Sequence, residues 1–515
     1  MLDSAMILPA KDCVFCVRTP TFFDGDIRDK FGGATYALIP LMRGRIMDTK
    51  TERINIVKAR EDKEPIKFHF NKDGMEFSIQ DGYVPDWCPD SKFTKGDLRA
   101  RIEPWLTSLF QSEHLSLLIG SGLTTAIELA ACGRLSGAGM SGNFEISEFA
   151  HEISLAAENS AIESGRIRSG ERTEIEKKVN IEDRIRVANE LIQGLRILRN
   201  GDLIPDVKEK LEKLCAEVGQ ALKGFADSIF ASEKAIASAE APEKEKAFGK
   251  LVLFLMSFAS RTGTRDRLSI FTTNYDRLIE AGADVAGLRL IDRFVGALSP
   301  IFRSSRVDID MHYNPPGIRG EPRYLEGVAR FTKLHGSLDW INVDGDIRRI
   351  GLPFGAENIE PFLQIAGLDA NYDSLMIYPN AAKDRETSEY PYVELFRDFA
   401  AALCRPNNTL VTYGYSFGDD HINRIIRDML TIPSTHLVII CYDDNTGRIM
   451  KKYEQWGHQS QISLIIGEDI ANINDLVDFY LPKPSIDRAS IRMADILRQR
   501  FDQPSRKDKK GEIEP

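Results

Sequence analysis

The sequence predicts an α/β protein built on a doubly wound parallel sheet, with a long helical insertion and a strand-rich module ahead of it. Three observations carry this. Short apolar runs recur at 115–119 (LSLLI), 268–271 (LSIF), 409–413 (TLVTY), 436–441 (HLVIIC) and 462–466 (ISLII), with LMIY at 375–378 a shorter sixth candidate. Helical stretches separate many of them, and buried strands alternating with helices indicate a parallel sheet covered on both faces. Between the first two strands, roughly residues 145–258 are highly charged, and Val207, Leu211, Leu214, Val218, Leu222 and Phe225 recur at spacings of three and four, which is one apolar helix stripe. Before residue 100, IKFHFNKDGMEFSIQDGYV alternates apolar and polar residues on both sides of Lys72-Asp73-Gly74, a hairpin signal. The expected organisation is a module at 1–100, a main domain at 101–480 with the insertion at about 145–258, and a C-terminal helix with a disordered tail at 481–515.

Composition sets bounds. The chain has 515 residues, 43% hydrophobic and 28% charged, with a net charge of −10. That balance gives no whole-protein attraction to nucleic acid or to a membrane surface. No apolar run reaches the roughly 18 residues a membrane helix needs. The start, MLDSAMILPAKDCVFCVR, lacks the pattern of a signal peptide. Seven cysteines at irregular spacing fit a reducing cytoplasm, which is the expected location. Cys13 and Cys16 form a C-x-x-C, but no second pair completes a four-ligand zinc set, so no metal is expected.

Candidate chemistry lies where strands end. Gly120-Ser121-Gly122-Leu123-Thr124 follows the first apolar run and opens a helix. Glycines there permit a tight bend and close approach to a phosphate, which the helix N-terminus attracts. In IFTTNYD, a strand continued to its end would put Thr272, Asn274 and Asp276 on one face. The other reading is a turn in which Asn274 and Asp276 cap the helix that follows. In FTKLHGSLDW, His335 leaves a strand end and Gly336 gives it room. It is one of only eight histidines, and it is either a passive strand-end residue or a reacting group. VTYGYSFGDDHINRII repeats strand, glycine, hydroxyl and helix: Gly414 allows close approach, Ser416 can donate to a phosphate, and Asp419 or Asp420 can cap the helix. An acid after the next strand, Asp443 in CYDDN, could hold a ribose diol.

The order of these elements resembles the sirtuin fold, a Rossmann-like sheet, from about residue 112 to about 475. The sirtuin glycine motif appears as GSGLT, the Thr-Gln-Asn-x-Asp motif as TTNYD with Thr273 in place of glutamine, and the His-Gly as His335-Gly336. GYSFGDDHI looks like a bacterial sirtuin-related family that includes antiphage NAD-degrading effectors. Two departures matter. The four-cysteine zinc ribbon of sirtuin deacetylases would lie between His335 and Gly414, where Cys404 is the only cysteine. The Pro-x-Phe-Arg stretch after the glycine motif is replaced by TAIELAACGRL.

The resemblance implies an NAD glycohydrolase, with NAD as substrate and a role as a regulated antiphage effector. It implies that Asn274 positions water or ribose hydroxyls, that Asp276 holds the carboxamide or stabilises positive charge, and that His335 is the general base. Gly120, Ser121, Gly122, Thr124, Thr272, Gly414 and Ser416 would surround the NAD, most of them at the diphosphate, with Asp443 at a ribose. Two rival readings use the same pocket: a sirtuin-type deacylase, and a non-catalytic NAD or ADP-ribose sensor in a larger assembly. A nuclease is a weaker option, since the stripe after Pro205-Asp206 reads as helix. A homo-oligomer is expected. The resemblance adds a HerA-type ring ATPase as partner, docking on the N-terminal module or on the insertion, where the stripe from Val207 to Phe225 would be an association face if exposed.

Overall fold

The computed structural model describes residues 54–59, 61–71, 75–80, 82–136, 146–163, 181–199, 206–261, 266–305, 309–313, 323–365, 368–369, 374–377 and 390–484. Cys13, Cys16, residues 72–74 and the C-terminal segment from 485 lie outside them.

Among the described residues the main sheet has eleven strands: β1 (Asn55–Lys58), β2 (Ile66–Asn71), β3 (Glu76–Ile79), β4 (Lys92–Phe93), β5 (His114–Ile119), β6 (Leu268–Thr272), β7 (Arg289–Ile291), β8 (Val328–Lys333), β9 (Asn408–Tyr413), β10 (His436–Cys441) and β11 (Ile462–Ile466). Their order is β4-β3-β2-β1-β11-β10-β9-β5-β6-β8-β7. From β11 to β7 every pair is parallel. β1 joins β11 antiparallel, and β2 to β4 continue as a meander. The predicted hairpin is the β2–β3 pair, and the meander extends the parallel sheet instead of standing apart from it.

Strand side chains alternate between the two faces. Leu117, Ile119, Val411, Tyr413 and Ile440 enter one core with α1 (Lys95–Phe110) and α2 (Gly122–Cys132). Leu118, Leu410, Ile439 and Leu464 enter the other. This is the doubly wound arrangement, and both faces being covered explains why the strands read as unbroken apolar runs.

The insertion holds α3 (Ala150–Glu163), α4 (Ile181–Arg199), α5 (Val207–Ser238) and α6 (Ala241–Ala259). The α5 stripe is internal. Val207, Leu211, Leu214, Val218 and Phe225 are buried in a third core, with α4 residues and with Leu338, Ile341 and Ile350. An association face there is therefore corrected to a packing face. α6 packs instead into the main core through Leu251, Phe254 and Phe258.

Among the described residues, a second, five-stranded antiparallel sheet contains Gly336–Val343 as its second strand, paired with Leu375–Ile377 at the edge and with Asp346–Arg349 at the centre. The sixth apolar run thus belongs to this small sheet and not to the parallel one. β8, with Arg330 and Thr332 among its residues, takes the place next to β6. Among the described residues, no helix is long and apolar enough to cross a membrane.

Candidate active site

Five neighbouring parallel strands, β10, β9, β5, β6 and β8, end on one edge of the sheet. Every sequence-nominated residue follows or closes one of them. The winding reverses between β5 and β9, and such a switch point is where open α/β sheets form a ligand crevice.

The glycines at the switch point bring two loops into contact. A Cβ on Gly122 would sit 2.6 Å from Gly414 Cα, and one on Gly120 would sit 2.4 Å from the Gly414 carbonyl oxygen. Gly414 itself has φ +60°. The Gly120 and Gly122 amides donate to the Tyr413 and Gly414 carbonyls at 3.0 and 3.1 Å. The glycines are thus required by backbone-on-backbone packing, a reason the sequence reading did not contain. Ser121 is exposed at the start of α2 and makes no side-chain cap, so its hydroxyl faces solvent beside the helix N-terminus.

β6 stops at Thr272. Thr272 is fully buried, and its hydroxyl donates to the Ile119 carbonyl at 2.9 Å and accepts from the Asn274 amide at 3.0 Å. It shapes the turn that follows. The Asn274 side-chain NH2 donates to the Gly120 carbonyl and to Thr124 Oγ1, both at 3.1 Å. A carbonyl only accepts, so the amide orientation is fixed by this contact. Among the described residues, Asn274 Oδ1 is left buried with no hydrogen-bond partner. Asp276 uses both oxygens: Oδ2 accepts from Thr124 Oγ1 at 2.7 Å, and Oδ1 accepts from the Leu278 amide at 3.0 Å. Asp276 thus holds the first amide of α7 (Leu278–Ala286) from the position before its N-cap, Arg277, while Asn274 makes no bond to that helix.

His335 follows β8 and is 7% exposed. Its ring lies 6.3 Å from that of Tyr275 and 5.6 Å from that of His421, which in turn meets the edge of Phe396 at 4.7 Å. Gly336 has φ +91°, and a Cβ there would strike the Met376 carbonyl at 2.1 Å. The space beside His335 is thus filled by the second sheet.

The structure ties Thr124, Asn274 and Asp276 into one network. Ser416 is exposed, with the Arg448 guanidinium on its carbonyl at 3.3 Å. Asp443 is exposed and accepts from the Asn445 amide at 3.2 Å. Among the described residues no hydrogen bond links Ser416 or Asp443 to the Asn274 network. Asp419 is the N-cap residue of α8 (Asp420–Leu430) but makes no side-chain cap.

The sequence reading missed four residues. His421 sits inside the quoted GYSFGDDHI. Asn423 donates to the Phe417 carbonyl at 2.9 Å and so holds the β9 loop. Arg277 and Glu233 form a buried ion pair, with the Arg277 amide also donating to Glu233 at 2.7 Å. Through Glu233, α5 grips the turn beside Asp276. A buried Arg partner could not be read from helical periodicity, which reports apolar faces only.

No curated protein matches the chain at a significant level. Residues 268–461, from β6 to the start of β11 and including the Asn274 turn, His335 and the Gly414 loop, match the family model of the SIR2-like domain; β5 and its glycine loop lie outside that match but inside the same sheet, and the chain carries a SIR2-like domain over that span.

Proposed function

We propose that the protein is an NAD glycohydrolase that cleaves NAD to nicotinamide and ADP-ribose. The SIR2-like domain points to NAD-related activity. The observation that carries the finer reading is Asn274 Oδ1, a buried acceptor with no donor among the described residues, beside the switch-point crevice. An unmet buried acceptor is costly, and a water or ribose hydroxyl would satisfy it.

Breaking the nicotinamide–ribose bond passes through a cationic, oxocarbenium-like state. It needs a leaving group held in place, a polar face for the cation and a positioned nucleophile. Asn274 would orient the hydroxyl or water through Oδ1. Asp276, its oxygens engaged by Thr124 and α7, would act through its negative charge and by holding Thr124. His335 would take the proton, a contribution of roughly 10²–10⁴-fold for a positioned base. The Gly120–Thr124 loop and the start of α2, with Gly414 and Ser416, would receive the diphosphate, and Asp443 a ribose.

The replacement of the Pro-x-Phe-Arg stretch by TAIELAACGRL removes support for an acyl-lysine groove. Regulated antiphage NAD depletion, self-association and a ring-ATPase partner are the wider context the resemblance suggests. The test is NAD consumption by the purified chain with no acylated peptide, followed as nicotinamide release. Asn274→Ala and His335→Ala are each expected to lower it at least about a hundredfold with the fold intact. Near-normal turnover in a folded variant removes that residue from the mechanism; turnover only with an acyl-lysine peptide makes the protein a deacylase.

A further inference from the structure

Lys333 closes β8 two residues before His335, and only 2% of its side chain is exposed. A buried ammonium persists only where acceptors surround it. Its three acceptors are the Asp276 carbonyl at 2.5 Å, the Tyr275 carbonyl at 3.4 Å and Glu280 Oε1 at 3.1 Å. Two of the three are therefore backbone groups of the turn that carries Asn274. On the far side of His335, Ser337 Oγ and the Leu338 amide donate to the same Tyr275 carbonyl at 3.3 and 3.0 Å. The Leu334 amide donates to the Thr272 carbonyl at 2.8 Å. Residues on both sides of His335 thus clamp the Asn274–Asp276 turn.

We propose that Lys333 is a positioning residue: its ammonium fixes the Tyr275 and Asp276 carbonyls to the strand end that delivers His335, with Glu280 as its counter-charge. The consequence for catalysis rests on the NAD-cleavage reading; the clamp itself does not. An ion pair serving stability alone would need only Glu280. The two carbonyls are what make Lys333 a link between Asn274 and His335, whose relative placement a general-base mechanism requires.

The test compares wild type, Glu280→Gln, Lys333→Met and the double variant Lys333→Met/Glu280→Gln. Each is measured by thermal melting, by hydrogen exchange of a peptide spanning 271–280, and by NAD cleavage. Lys333→Met leaves the Glu280 carboxyl without its counter-charge and should melt below wild type. The double variant removes both charges and should recover most of that melting temperature. Its 271–280 peptide should still exchange at least about tenfold faster than wild type, and kcat should stay at least about tenfold down while KM changes little. Glu280→Gln keeps the carbonyl contacts and should keep the peptide protected; this arm stands even if the methionine variants do not fold. Wild-type protection in a double variant of restored stability overturns the proposal. So does loss of protection in Glu280→Gln equal to that in the Lys333 variants. Should wild type fail to cleave NAD while exchange follows the expected pattern, the clamp stands and the NAD reading falls.

Discussion

Glu280 shows how a single residue beside the site responds to pH. Burial pushes its carboxyl up to about 7, against the pull of Lys333 and with a further push from Asp339. Among the described residues, its Oε2 is buried without a partner, as is Asp339 Oδ1. Arg277 and Arg349 are the other nearby charges. Because the folded-state value lies above the usual one near 4.5, the folded protein binds the extra proton between about pH 4.5 and 7. Glu280 therefore contributes stability at low pH that is lost as pH rises through about 7. Linkage bounds this at about 3 kcal/mol, and the 26% of the side chain left exposed reduces it. The difference in Tm between wild type and Glu280→Gln should become less favourable to wild type from pH 5 to pH 8. A difference independent of pH would show that Glu280 ionises as it does in the unfolded chain.

At the level of elements, two contacts decide whether the site exists. The first is the touching pair of loops after β5 and β9. Gly414→Ala would add a Cβ 2.6 Å from Gly122 Cα at a residue with φ +60°, so overlap and backbone strain act together. A loss of about 2–4 kcal/mol in urea unfolding is expected. Gly249→Ala is the matched control, a helical glycine whose added Cβ meets nothing within 4 Å, and it should be neutral or stabilising. Equal effects at both positions would refute the loop-contact argument. The second is the packing of α5. Leu214 is fully buried, so Leu214→Ala should cost about 2–5 kcal/mol. Ile197→Ala, at a residue 73% exposed in α4, should stay within about 0.5 kcal/mol. Lost self-association with unchanged stability in the Leu214 variant would return the stripe to a docking role.

For the whole molecule, the sheet gathers loops from chain segments about 320 residues apart in sequence, from Gly120 to Asp443, along one edge. Among the described residues, no group of three or more His, Cys, Asp or Glu is placed to hold a metal ion. Catalysis by charge and positioning would need none. Chelator treatment is expected to leave NAD cleavage unchanged, with no stoichiometric zinc by elemental analysis. One tightly bound zinc per chain would overturn that and bring Cys13 and Cys16 back into consideration.

Local pattern alone determined the five long parallel strands, the β2–β3 hairpin and the helical insertion, because burial on two faces, on alternate residues or along a helix stripe each leaves its own period in the sequence. It also marked Asn274, Asp276, Thr124 and His335, since polar residues at the ends of apolar runs stand out against them. Tertiary structure alone decided what those residues meet. That Asp276 divides its two oxygens between the first amide of α7 and Thr124 depended on a residue 152 positions away. Leu375–Ile377 went to a second sheet because Gly336–Val343 was there to pair with it. The contacts of Lys333, Glu233 and His421 are with residues on other elements. Buried charge and close backbone contact carry no sequence period, so only the assembled fold could assign them.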